Sequence, residues 1–135
     1  MSEAASIALV ADGTQAAIYA YGLIAARLEG AEKSQALSAM ATHRLERDVL
    51  RGKVITLRGV PGPAAAAYTP PFPITDADSA RALAALVEDR LAGQWAGLAA
   101  AATGNARKSA ALHAQECAVR SVTWSGVAPV WAGAS

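Results

Sequence analysis

Apolar and small residues recur near the start of the chain with the alternating 4-3 spacing of one helix face: Ile7, Ala11, Thr14, Ile18, Tyr21, Ala25 and Leu28. Val10, Ala17 and Ile24 widen that stripe, as a core-facing bundle helix requires. The spacing predicts a helix from about Ser6 to Glu29, with Ala16 to Gly22 at its middle. A second seam, Leu9, Ala16, Ala20 and Leu23, lies on the opposite side, and Asp12, Gln15, Arg27 and Glu29 supply the strong polarity. A helix apolar on two sides is central in its domain or covered by a second subunit. A short chain has few central helices, so Leu9, Ala16, Ala20 and Leu23 are expected to form a homo-oligomer contact, a dimer being favoured.

Gly30 suits the left-handed residue that closes the first helix. A second helix is expected from about Ala31 or Glu32 to a point between Gly52 and Arg58. Its apolar positions are Leu37, Met40, Ala41, Leu45, Val49 and Leu50. A tight link makes the pair an antiparallel hairpin. Five prolines then forbid a helix between Gly59 and Thr75, where Tyr68, Phe72 and Ile74 can pack on the bundle. About seventeen extended residues reach roughly 50 Å. A helix of about twenty-five residues is roughly 37 Å long. The connector can therefore cross the whole bundle and start the third helix parallel to the second. Thr75 or Asp76 caps that third helix, whose stripe is Ala80, Leu83, Ala84, Val87, Leu91, Gln94 or Trp95, Leu98 and Ala102. Thr103-Gly104-Asn105 turns into a fourth helix over about Ala106 to Trp124, with Leu112, Val119 and Val122 as its aliphatic stripe and Gly126 as its stop. Residues 1–126 are thus expected to form one bundle. Residues 127–135 follow as a tail in which Val130 and Trp131 suggest docking.

Composition agrees. Hydrophobic residues make up 53% of the 135 positions but aromatics only 5%, so the strong helix former alanine dominates and an all-α fold follows. The formal net charge is +1 without a long basic run, which argues against nucleic acid as a partner. Cys117 is alone, the N-terminus is acidic, and Asp12 and Gln15 interrupt the most apolar stretch; a soluble, cytoplasmic protein is expected, with no membrane partner.

Two antiparallel hairpins joined by one long crossover is the ferritin-like arrangement. Ala17-x-Tyr19-x-Tyr21-Gly22, His43-Arg44-x-x-Arg47-Asp48 and the Pro-rich Tyr68-x-x-Pro71 connector, in that order, resemble an uncharacterised ferritin-like domain family found mainly in high-GC bacteria. The resemblance covers roughly residues 5 to 125. It implies a four-helix bundle, often self-associating, with no established activity.

Ferritin-like di-iron proteins draw a Glu from each of two helices and Glu-x-x-His from each of the other two. Here His43 and His113 stand where the histidines belong, but Met40 and Ala110 replace their glutamates, and Gln15 occupies the plausible ligand position on the first helix. Glu88 is the carboxylate left over. Glu46 and Glu116 follow the histidines by three residues, the reverse of the motif. No metal or other cofactor is therefore expected; His43, His113, Cys117 and Glu88 are weak ligand candidates. His113 and Cys117 share a face at i and i+4, but two ligands do not make a site, and Arg120 nearby would repel a cation. Gln15, Tyr21, His43, Arg47 and Asp48 form a candidate polar pocket, with Arg44 and Arg51 also in reach of Asp48. No catalytic residue is assigned. The expected role is a non-enzymatic assembly or partner-binding module, and the alternative is a small-molecule or metal-dependent oxidoreductase using His43, Tyr21 and Gln15 at an inter-helical pocket.

Overall fold

The computed structural model describes residues 1–57, 59 and 68–126. They form four helices: α1 (Glu3–Ala25), α2 (Gly30–Thr56), α3 (Ala77–Ala101) and α4 (Gly104–Ser125). The expected docking of Val130 and Trp131 lies outside the described residues, as does most of the first half of the connector.

Contacts along the rods fix the topology. Gln15 on α1 meets Arg47 on α2, and a four-residue turn joins the two helices, so they run antiparallel. Arg107 reaches the carbonyl of Ala99, and Ser121 donates to the carbonyl of Ala85, so α3 and α4 are antiparallel too. Arg81 near the start of α3 pairs with Glu32 near the start of α2, and Glu88 further along α3 meets His43 further along α2. Both partners advance together, so α2 and α3 are parallel. The chain is a four-helix bundle with one long crossover, as the connector length predicts. Tyr68, Phe72 and Ile74 from the connector pack against the core.

Backbones approach closely in the pairs α1–α2, α1–α3 and α3–α4. Among the described residues α2 and α4 have no Cα atoms within 8 Å of each other, so that side of the bundle is bridged by side chains alone.

Helix ends follow local chemistry. Ser2 accepts from the amide of Ala5 at the start of α1. Asp76 caps α3 in a reciprocal box: its carboxylate accepts from the amide of Ser79, whose hydroxyl accepts from the amide of Asp76. Gly126 ends α4 at φ 68°, in the left-handed region that suits a residue without a Cβ. Gly13 is needed for another reason: an added Cβ would lie 1.9 Å from Oε1 of Gln94, whose amide crosses over α1 there.

Every residue of the primary stripe is buried, from Ile7 to Ala25 on α1 and Leu28 in the turn that follows, α1 ending short of the expected Glu29; so is the α3 stripe, in which Trp95 rather than Gln94 is the core residue. Two expectations are corrected. On α2 the inward face is Ala36, Ala39, Met40, His43, Leu50 and Val54, whereas Leu37, Leu45 and Val49 face solvent. On α4 the buried residues are Ala110, Cys117 and Trp124, while Leu112 and Val119 are exposed. In both helices alanine and a buried polar or sulfur side chain face inward, and several of the larger aliphatics, Leu37, Leu45, Val49, Leu112 and Val119, stand outside. α1 is long and apolar enough to cross a membrane by length and composition, and 56% of its most apolar window is buried within the bundle.

Replacing Asp76 by alanine removes the cap of α3 and lowers the melting temperature, whereas Asp76→Asn, which keeps an accepting oxygen, retains most of it. Thermal unfolding followed by circular dichroism checks the pair.

Candidate functional site

The centre of the bundle is charged. Glu88 on α3 and His43 on α2 have no solvent exposure, and Tyr21 on α1 is equally covered. The carboxylate of Glu88 collects donors from three other helices. Tyr21 donates its hydroxyl to Oε2 at 2.7 Å, and Nε2 of His43 lies 2.8 Å from the same oxygen. Nη1 of Arg120 on α4 stands 3.5 Å from Oε1. Trp124 donates its indole N–H to the Tyr21 hydroxyl at 3.2 Å, so that oxygen both gives and receives. On the far side of the imidazole, Nδ1 of His43 lies 3.1 Å from Oε2 of Glu46.

Carboxylates face both ring nitrogens of His43, so the doubly protonated ring satisfies both. Burial alone would lower its pKa, but the bonds and charges of Glu46 and Glu88 overcome this and raise it to about 9. Burial likewise works against the Glu88 anion, yet His43, Tyr21 and Arg120 hold its pKa below the ordinary carboxylate value. Burial, followed by the adjacent Glu88 charge, pushes the Tyr21 hydroxyl well above its usual range, and the same two causes raise the Cys117 thiol. Cys117 is therefore a poor nucleophile and a reluctant metal ligand; its sulfur lies 3.9 Å from Nη1 of Arg120.

The polar chain continues outward. Oε1 of Glu46 lies 3.6 Å from Nδ1 of His113, which in turn lies 3.7 Å from Oε2 of Glu116. The His113 ring stacks on Trp95 with centroids 4.3 Å apart and planes at 23°. The two histidines do not touch: Glu46 stands between them.

The five residues of the sequence-derived polar pocket fall into two groups. Tyr21 and His43 belong to the buried centre. Gln15, Arg47 and Asp48 form a separate chain nearer the surface, in which Arg47 donates to Gln15 at 3.0 Å and to Asp48 at 3.1 Å. A single pocket of all five is thus corrected. The groove of about 610 Å³ between the start of α1 and the end of α3 is lined by Leu9, Arg90, Gly93, Gln94 and Gly97 among others, and by none of those five. Of the weak ligand candidates, His43 and Glu88 meet directly, Cys117 borders Glu88, and His113 stands apart beyond Glu46. Of the predicted interface, Leu9 and Leu23 are partly exposed but Ala20 is fully buried, so it cannot take part in an exposed seam. Glu46, Arg120 and Trp124 were not assigned to the pocket. The signal was available: Glu46 lies one turn from His43, and Arg120 and Trp124 repeat at i+3 and i+7 from Cys117.

These features can be placed among known proteins. Residues 4–133 match DUF4439, a family of domains of unknown function, and the chain belongs to that family. A crystal structure of a conserved hypothetical protein from Mycobacterium tuberculosis superposes with a TM-score of 0.87 at 26% identity, covering 92% of this chain and 95% of that one. No curated protein matches.

Removing the central anion exposes how much depends on it. Glu88→Gln removes the anion that faces Nε2 of the His43 imidazolium and Arg120 and destabilises the fold by about 3–5 kcal/mol, read by urea unfolding. The pH dependence has a definite sign. An unfolded histidine titrates near 6.5, whereas folded His43 holds its proton to about pH 9. Its contribution is complete below about pH 6.5 and is lost as pH rises through about 9. Unfolding free energy measured across that window declines, and His43→Gln flattens the decline.

Proposed function

We propose that this domain is a ferritin-like bundle that has exchanged a di-metal centre for an internal ion network and serves as a self-assembly module in a soluble, cytoplasmic setting. Glu88, which a metal pair would otherwise neutralise, is balanced by His43 and Arg120. Such a centre braces four helices and leaves the outer faces free to specify contacts.

One observation carries the assembly reading. Leu45 (71% exposed) and Val49 (59%) on α2, with Leu112 (55%) and Val119 (65%) on α4, stand outside the turns that carry Glu46 and His113. Helical spacing places all four on the outer α2–α4 side, where the two backbones are held apart. Four large aliphatics on one side of a small bundle form the kind of patch that marks an interface. A second copy is the occupant proposed, because a two-fold axis lying in the plane of this face lays the patch against itself without any further chemistry. The α1 seam is the smaller surface: Leu9 and Leu23 are 44% and 40% exposed.

Light scattering coupled to gel filtration tests this. The native protein is expected to elute with the mass of a dimer, Val49→Arg with that of a monomer, and Leu23→Arg unchanged. Dissociation by Leu23→Arg alone moves the contact to α1, and a monomeric native protein discards self-assembly.

A further inference from the structure

We infer that Glu46, His113 and Glu116 form a binding site for one divalent transition-metal ion, of the zinc class, at the mouth between α2 and α4. The site adjoins the buried centre through Glu46 and uses a different ligand set from a di-iron motif.

The geometry makes the case. One imidazole nitrogen and two carboxylate oxygens, from two helices, all lie within 4.8 Å of one another. Nδ1 of His113 is buried and has no hydrogen-bond partner among the described residues, although carboxylate oxygens stand 3.6 and 3.7 Å from it. Those separations are too long for hydrogen bonds. They are close to the spacing of two donors sharing one ion: atoms about 2.1 Å from a tetrahedral zinc lie about 3.4 Å apart. A buried nitrogen flanked in this way gains its missing partner if a cation sits between the three groups.

Each ligand is already aimed. His113 is held flat against Trp95, and α4 places Glu116 one turn beyond it. Glu46, whose side chain is nine-tenths buried, has Oε2 engaged by His43, which leaves Oε1 toward His113. A bonded carboxylate of this kind is what supports ligands in metal sites. Charge favours a cation as well. Glu46 and Glu88 are matched by His43 and Arg120, so Glu116 adds a negative charge that these two do not offset. The donor set selects the metal: imidazole with carboxylates suits zinc, manganese or ferrous iron, whereas magnesium and calcium prefer oxygen alone. Glu116 is partly exposed in the single chain, so the remaining coordination position is open to water there.

Titration calorimetry of the full chain with zinc chloride tests the site. The expected result is one zinc per chain, undiminished by millimolar magnesium, with a rise in melting temperature as free zinc increases. Glu116→Gln, at an exposed position, and His113→Gln each weaken binding at least tenfold; circular dichroism of the Glu116 variant stays native. Cys117→Ser binds as the native chain does. Absence of saturable binding at micromolar zinc overturns the site. So does binding that survives both ligand substitutions or disappears with Cys117→Ser. The result is separable from self-assembly, because Val49→Arg is expected to change mass without changing zinc stoichiometry.

Discussion

A carboxylate with no access to water is the constraint around which this bundle is arranged. An isolated anion in an apolar interior costs far more than a small domain can sustain, so it must be paired and fully bonded. Glu88 meets that demand with one donor from each of the other three helices: Tyr21, His43 and Arg120. Each donor is reachable only if its rod stands in the observed register, so the ion network and the topology specify one another. Slide α2 by a turn and His43 loses Glu88. Reverse the sense of α3 relative to α2 and Arg81 no longer meets Glu32 when Glu88 meets His43.

The fold was legible where periodicity and chain length did the work. The α1 and α3 stripes are long, regular and apolar, and burial follows them residue by residue. Topology came from a length argument: an extended connector of this size can span a bundle, and a hairpin has no use for it. Capping chemistry located the start of α3 at Asp76. The pattern outlines α2 and α4 but does not set their orientation. Leu45, Val49, Leu112 and Val119 are the residues a hydrophobic scale turns inward, and they face outward.

The reason is physical rather than statistical. The interior side of α2 must present His43, because Glu88 needs a cation, and a helix cannot turn two opposite faces to one core. Once His43 faces in, Met40, Leu50 and Val54 come with it, and Leu45 and Val49 are committed to the other side. On α4 the same holds for Cys117, Trp124 and the adjoining Arg120. Local hydrophobicity cannot register a demand set by a carboxylate forty-five positions away. Half of the site was visible as residue types: both histidines and the leftover Glu88 were marked. Their joining through Glu46 was not, because partnership across helices depends on register that no single stripe encodes.

The order of residues on α2 and α4 decides what that joining can do. Side chains on a helix lean toward its N-terminus. In both helices the glutamate follows its histidine by one turn, as His43 and Glu46, and as His113 and Glu116. Because α2 and α4 run in opposite senses, Glu46 lies level with His113, and the chain of groups climbs from Glu88 through His43, Glu46 and His113 to Glu116 at the surface. Negative and imidazole groups alternate along it. The inner links are at hydrogen-bonding distance and carry a proton on His43; the outer links, across the gap between α2 and α4, are not. A single polar thread therefore has two characters: a dry, charge-balanced inner end that fixes the fold, and an open outer end where charge and geometry are still unsatisfied.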